Sequence, residues 1–292
     1  MHEPKLTSSC TILKVENSKL EDLRTLSRVR ISYSEDMSDA LEKFPNVQHL
    51  ECTIVEPMDP PTHGDWFPKL DVLNKLETII ADYENTWSYS YYAVEPESIV
   101  EVPPPNEYHF PTSSKELRLY NFPMRLAFLS AIVALPQLEI LEFNGSELPE
   151  DKCNAREDIF QSLKSLSLIG VYLSEGQVYT ETFPQLEQLM LEDIRQLKEI
   201  PSTFGNIDTL KSIHLDSVDQ DLVDSSIEMK HDVAGFKGED RLDVHVHVPE
   251  VVKVPRVVDN LVKAQTDATN GIGPRMIRRY GYKAGKEKKH NI

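Results

Sequence analysis

Three cysteines in 292 residues, Cys10, Cys52 and Cys153, are too few, too scattered and odd in number for a disulfide framework. Long apolar runs are missing as well. The longest, AFLSAIVAL at 127–135, is well short of the roughly 20 residues a membrane-spanning helix needs. The first 30 residues hold no apolar stretch of signal-peptide length. These absences predict a cytoplasmic or nuclear chain with no membrane span. Catalytic signatures are absent too. The sequence has no GxSxG, HExxH, CxxC or DxDxDG, and none of its eleven glycines is followed by Lys and then Ser or Thr, so it has no phosphate-cradling loop. We expect no catalytic residues, no metal site and no nucleotide cofactor. The nearest approach to a metal motif is VHVHV at 244–248, which puts His245 and His247 on one face of a short strand. We read it as an edge strand with polar residues outward.

Charge is present and unevenly placed. The chain carries 31 Lys and Arg against 48 Asp and Glu, a net −17. Residues 275–292 hold seven basic residues and one acid, leaving 24 basic and 47 acidic groups, −23, for the other 274 residues. An acidic body repels phosphates at long range, so nucleic acid is excluded as the main ligand. The basic end, rich in like charge and without an apolar period, reads as a flexible tail.

The informative feature is self-similarity. LEILEF (138–143), LKSLSL (163–168), LEQLML (186–191) and LKSIHL (210–215) share the form LxxLxL. Their middle apolar residues, Leu141, Leu166, Leu189 and Ile213, are 25, 23 and 24 residues apart. Weaker copies precede them, anchored at Val29, Leu50, Ile79 and Leu117 with spacings of 21, 29, 38 and then 24 to Leu141. A period near 24 with this phrase is a leucine-rich repeat. Two apolar residues spaced by two face the same way from a strand, and one repeat cannot bury that pair alone. The predicted fold is therefore an α/β repeat: a leucine-rich-repeat solenoid, or horseshoe, with a curved parallel sheet, an irregular convex side and a C-terminal cap. We expect the solenoid over 1–226 with an insertion loop at about 82–113, a capping helix and strand over 227–248, and the tail over 249–292. Ser225 or Ser226 is the expected N-cap of the helix, and Ile227, Val233 and Phe236 its apolar contacts. Cys52 falls on an inward position and reads as a core thiol.

The match extends past the generic repeat. The stretch 191–215 contains LxxIPxxxGxxxxL, and LRTLSRVRISYSEDMSDALEKFPNVQHL, PPTHGDWFPKLDVLNKLE, EYHFPTSSKELRLYNFP and the ALPQLEILEF…FQSLKSLSL…FPQLEQLMLEDIRQLKEIPSTFG run include distinctive residues between the repeats. Over about residues 4–245 the chain resembles the C-terminal part of solanaceous disease-resistance proteins of the late-blight-resistance type, which are coiled-coil, nucleotide-binding, leucine-rich-repeat immune receptors. The resemblance implies a defence role exercised by protein–protein interaction. Its implied partners are a pathogen effector, a host guard target, or the switch domain of a related receptor. The ADP/ATP site of the family does not transfer, because its phosphate loop has no counterpart here. The alternative is another cytosolic adaptor built on such repeats, such as the substrate adaptor of a ubiquitin ligase.

Strand alternation then names a binding face. Residues flanking the inward pair point outward on the concave sheet. The candidates are Arg28, Arg30, His49, Glu51, Arg118, Tyr120, Glu142, Met190 and His214, with basic residues early and acids late. The aromatic run Tyr83, Trp87, Tyr89, Tyr91 and Tyr92 in the insertion is the second candidate, since rings with a polar edge favour interfaces.

Overall fold

The structure is a computed structural model that describes residues 6–11, 20–32, 37–57, 66–84, 105, 107–123, 125–146, 159–171, 183–194, 197–237 and 241–247. Ten strands form one parallel sheet in chain order. They are β1 (Leu6–Thr11), β2 (Thr25–Ser32), β3 (His49–Val55), β4 (Thr78–Glu84), β5 (Glu116–Tyr120), β6 (Ile140–Asn144), β7 (Ser165–Ile169), β8 (Gln188–Glu192), β9 (Ser212–Asp216) and β10 (Asp243–His247). This is the leucine-rich-repeat solenoid that the period implies.

Register makes the sheet a stack. Leu50, Ile79, Leu117, Leu141, Leu166, Leu189, Ile213 and Val244 pair in one unbroken row. Cys52, Ala81, Leu119, Phe143, Leu168, Leu191 and Leu215 form a second row two residues on, all buried. A third comes from the first Leu of each phrase: Val47, Leu76, Leu138, Leu163, Leu186 and Leu210 are buried, and Ser114 takes the equivalent place in the weaker SKELRL copy. Each row buries one side chain per repeat against its neighbours, so the core is continuous although no single repeat contains one.

The first copy departs from the predicted register. Val29 is not the anchor. Leu26 pairs with Leu50, and Val29 pairs with Cys52. Three residues of β2 thus oppose two of β3, a bulge, with Arg28 in the left-handed region at φ 58°. Counted from Leu26, the step to Leu50 is 24 residues rather than 21, so the repeat keeps its period and hides it behind one inserted residue.

Two backbone devices hold strand to strand. Before each strand from β2 to β8, one carbonyl accepts two amides of the next repeat: Lys115 accepts from Glu139 (2.8 Å) and Ile140 (3.0 Å), Glu139 from Lys164 and Ser165, and Lys164 from Glu187 and Gln188. After each strand from β5 to β9 comes a residue with positive φ, namely Asn121, Gly145, Gly170, Asp193 and Ser217. The amide of Asn121 bonds the Asn144 carbonyl at 2.8 Å, that of Gly145 the Ile169 carbonyl at 2.9 Å, and that of Gly170 the Glu192 carbonyl at 2.8 Å. Glycine, asparagine and aspartate are the residues that enter this region at least cost.

The convex side is irregular, as expected, with short helices α1 (Met37–Leu41) and α2 (Leu126–Val133) and 3-10 turns at Leu70–Val72 and Ser202–Asn206. The long apolar run at 127–135 lies mostly in α2, whose Phe128 and Ile132 are fully buried. Phe160, Phe183 and Phe204 stack in successive repeats with centroids 5.3 and 6.4 Å apart.

The cap begins earlier than predicted. Helix α3 spans Gln220–Lys237, and the Asp219 carbonyl accepts the amides of Leu222 (3.1 Å) and Val223 (3.4 Å). Ser225 and Ser226 are therefore interior, not N-caps. The Ser225 hydroxyl accepts the Ile200 amide at 3.1 Å, and Ser226 donates to the Val223 carbonyl at 2.6 Å. The buried stripe is Leu222, Ser226, Met229 and Val233 at helical spacing, whereas Ile227 faces solvent at 41% exposure. The Phe236 side chain and the tail, 249–292, lie outside the described residues. Arg241 fastens β10 to the last repeat by donating to the carbonyls of Gly205, Ile207, Asp208 and Leu210 at 2.9 to 3.1 Å.

Two stability outcomes follow. Leu166→Ala should cost ~2–5 kcal/mol in urea unfolding, the range for deleting a buried leucine side chain. Gly145→Ala should cost more than Gly170→Ala. Both force a Cβ into the left-handed region at roughly 1–2 kcal/mol, but only at Gly145 would that Cβ meet the Asn121 amide oxygen at 2.8 Å.

Candidate protein-interaction surface

Alternation along each strand turns three side chains outward per repeat, and the observed register aligns them into rows. One row runs Glu51, Ile80, Arg118, Glu142, Ser167, Met190, His214 and His245. The next runs Thr53, Asp82, Tyr120, Asn144, Ile169, Glu192, Asp216 and His247. All nine concave candidates lie on this outward face. Arg28, Arg30, His49 and Glu51 are exposed, while Arg118, Tyr120, Glu142, Met190 and His214 are half-buried.

Most of the charge on this face is already engaged within the molecule. Arg30 holds Glu84 in a two-pronged pair, Nη1 to Oε2 and Nη2 to Oε1 at 2.6 Å. Arg118 donates through Nε to Glu116 at 2.7 Å and lies 3.6 Å from Glu142. The hydrogen bond to Glu116 binds the Arg118 proton more firmly than usual, against the opposing cost of burial. Tyr120 donates to Glu142 at 3.0 Å, and its phenol pKa is raised first by burial and then by that acceptor. Asn121 donates to Asp82 at 2.8 Å. Of these side chains Arg30, Asp82, Tyr120 and Asn121 border a groove of about 640 Å³ over β2 to β5, which Arg28, Glu51, Thr53 and Ile80 also line. Cys52 is at its floor. Burial, followed by the charges of Glu51 and Asp82, pushes its thiol up to about 12, which favours the uncharged thiol.

At the far end of the row His214 and His245 stack with centroids 4.6 Å apart and planes 18° from parallel. Burial, and then the neighbouring His245, lowers the His214 pKa. Among the described residues no three His, Cys, Asp or Glu side chains gather closely enough to hold a metal ion. Nor is any helix among them long and apolar enough to cross a membrane.

The second candidate divides. Tyr83 is not a loop residue. It lies in β4, half-buried, with its ring 5.5 Å from Phe122 and 6.3 Å from Trp66. Burial and the adjacent Glu56 carboxylate raise its phenol pKa. The rings of Phe67, Tyr108, Phe110 and Phe128 continue this cluster at 4.9 to 5.9 Å. It is core where the insertion leaves and rejoins the sheet. Trp87, Tyr89, Tyr91 and Tyr92 lie outside the described residues.

One surface feature escaped the sequence reading. The residue before each strand alternates in sign over six repeats: Glu77, Lys115, Glu139, Lys164, Glu187 and Lys211. Three neighbouring pairs close, Lys115–Glu77 at 3.2 Å, Lys164–Glu139 at 3.1 Å and Lys211–Glu187 at 2.5 Å. The signal was present as LE or LK within each phrase, but only register shows that successive repeats face one another.

Ten registered parallel strands built on LxxLxL define a leucine-rich-repeat solenoid whose outward face carries a groove lined by charged, polar and apolar side chains. No family model matches the chain. Curated relatives do. A putative late blight resistance protein homolog of Solanum demissum, R1B-12, is 32% identical over 232 residues, 77% of this chain and 16% of the relative. The putative homolog R1B-16 of the same plant is 28% identical over 236 residues, covering 79% and 17% of the two chains. Late blight resistance protein R1-A, also from Solanum demissum, is 28% identical over 236 residues, 79% and 16%. The chain is thus similar to part of the R1-type late blight resistance proteins, and it spans 16 to 17% of the length of these relatives.

The histidine pair gives a pH outcome. With its folded pKa below the ordinary 6.5, His214 takes up its proton more readily in the unfolded chain. Its contribution to stability should be fully present above about pH 6.5 and should be lost as pH falls through the lower folded value. By NMR titration, His245→Phe should raise the His214 midpoint by removing the second charge. It should leave that midpoint below 6.5, because burial is the larger cause.

Proposed function

We propose that this chain is a protein-recognition module in plant disease resistance, and that it binds its partner on the concave face of the sheet. The observation that carries the reading is the groove of about 640 Å³ across β2 to β5, where ordered polar side chains project from consecutive strands of a solenoid homologous to resistance proteins. A row of side chains on a rigid parallel sheet loses little freedom on binding, which favours recognition by a preformed surface. The role asks for no covalent chemistry, and the one cysteine on the groove floor is a buried thiol. The partner class is the one the family resemblance implies: a pathogen effector, a guarded host protein, or the nucleotide-binding switch domain of a related receptor.

The test is co-purification of this chain with the switch domain of an R1-type relative expressed in trans. Thr53→Trp places an indole in the groove and should weaken capture at least tenfold, with the melting transition checked for folding. Lys198→Glu, at an exposed site away from the sheet's outward rows, should leave capture unchanged. Wild-type capture by a folded Thr53→Trp variant would remove the groove from the interface.

A further inference from the structure

We infer that the groove recognises a mixed-charge protein segment, one that presents neighbouring acidic and basic side chains, through Arg28 and Glu51. The inference rests on the concave-face reading above and gives the partner's chemistry. Arginine-rich early strands suggest at first an acidic partner, but the pairs on this face alter the count. Arg30 is engaged by Glu84, and Arg118 is engaged by Glu116 and Glu142. Asp82 accepts from Asn121, and Tyr120 donates to Glu142. Arg30 and Glu84 cancel as charges, whereas Arg118 is outnumbered by its two glutamates and Asp82, bonded to a neutral amide, keeps its charge in the groove.

Arg28 and Glu51 differ. Both are exposed, both line the groove, and among the described residues neither forms an ion pair or side-chain hydrogen bond. They sit on adjacent strands, at the bulge where Leu26 pairs with Leu50 and Val29 with Cys52, so Arg28 and Ser27 together oppose Glu51. In a regular ladder an Arg and a Glu facing each other on neighbouring strands, about 4.8 Å apart, would close on one another. The left-handed backbone of Arg28, φ 58°, re-aims its side chain, and the two opposite charges do not close into a pair. What remains is one cation and one anion side by side over a groove. A purely acidic segment would meet Glu51 and Asp82 as well as Arg28, and a purely basic one would meet Arg28. A segment carrying both signs satisfies both sites, and the like-signed alternatives are penalised.

The test uses the full chain and three 12-residue peptides of equal length in a Ser/Gly background, bearing alternating Asp and Lys, Asp alone, or Lys alone. Binding is read by NMR shift perturbation at low salt. The mixed peptide should bind at least about fivefold tighter than either of the others and should perturb residues 28 and 51. Arg28→Glu and Glu51→Lys should each abolish that preference. Tightest binding by the all-Asp or the all-Lys peptide, or no binding by any of the three, would overturn the inference. A Thr53→Trp variant that still loses capture of the switch domain would, in that event, leave the concave-face reading standing.

Discussion

The interaction on which everything else depends is the registered pairing of parallel strands, one per repeat. An LxL pair on an isolated strand has nowhere to go; its burial is supplied by the strands before and after it. Once Leu141 lies against Leu117 and Leu166, the second row, Leu119, Phe143 and Leu168, is fixed as well, because the side-chain period is two. The outward rows are fixed by the same alternation. Neither the bifurcated acceptors before the strands nor the left-handed residues after them would have partners if one repeat slipped. Core and outward surface are therefore two faces of one register.

That dependence explains what the sequence disclosed and what it withheld. The four best copies, with their spacings of 25, 23 and 24, gave anchors that coincide with the observed row. The weak first copy misled. Val29 has a β-branched side chain in a plausible place, but the bulge at Arg28 displaces it, and a single inserted residue is invisible to a pattern that tolerates irregular spacing. The cap showed a similar error. Ser225 and Ser226 are good N-cap residues by type, yet Asp219 is as good and lies where Leu222 can begin the buried stripe. Apolar Ile227 looked like a contact and is at the surface, since helical phase, not hydrophobicity alone, decides which face is covered.

For the surface, alternation was enough to place side chains outward and not enough to say what they do there. Arg30 meets Glu84, 54 residues away, and Arg118 meets Glu142 in the next repeat. Those encounters are set by which strand pairs with which, and by the offset the bulge introduces. The same is true of His214 and His245, which stack only because β10 adds to β9 in register across a helix of 18 residues. Tyr83 belonged by sequence to an aromatic loop and by structure to the core, because β4 extends to Glu84 before the insertion begins.

The outward face of the sheet is the proposed recognition surface. Hydroxyl-radical footprinting of the chain, alone and in complex with the switch domain of an R1-type relative, tests this most directly. Ile80 and Tyr120 border the groove, while Ile159 and Ile227 are exposed apolar residues off the sheet's strands, at 44% and 41%. Labelling of Ile80 and Tyr120 should fall on complex formation, and labelling of Ile159 and Ile227 should not. Protection of Ile159 and Ile227 with Ile80 and Tyr120 labelled as in the free chain would contradict it.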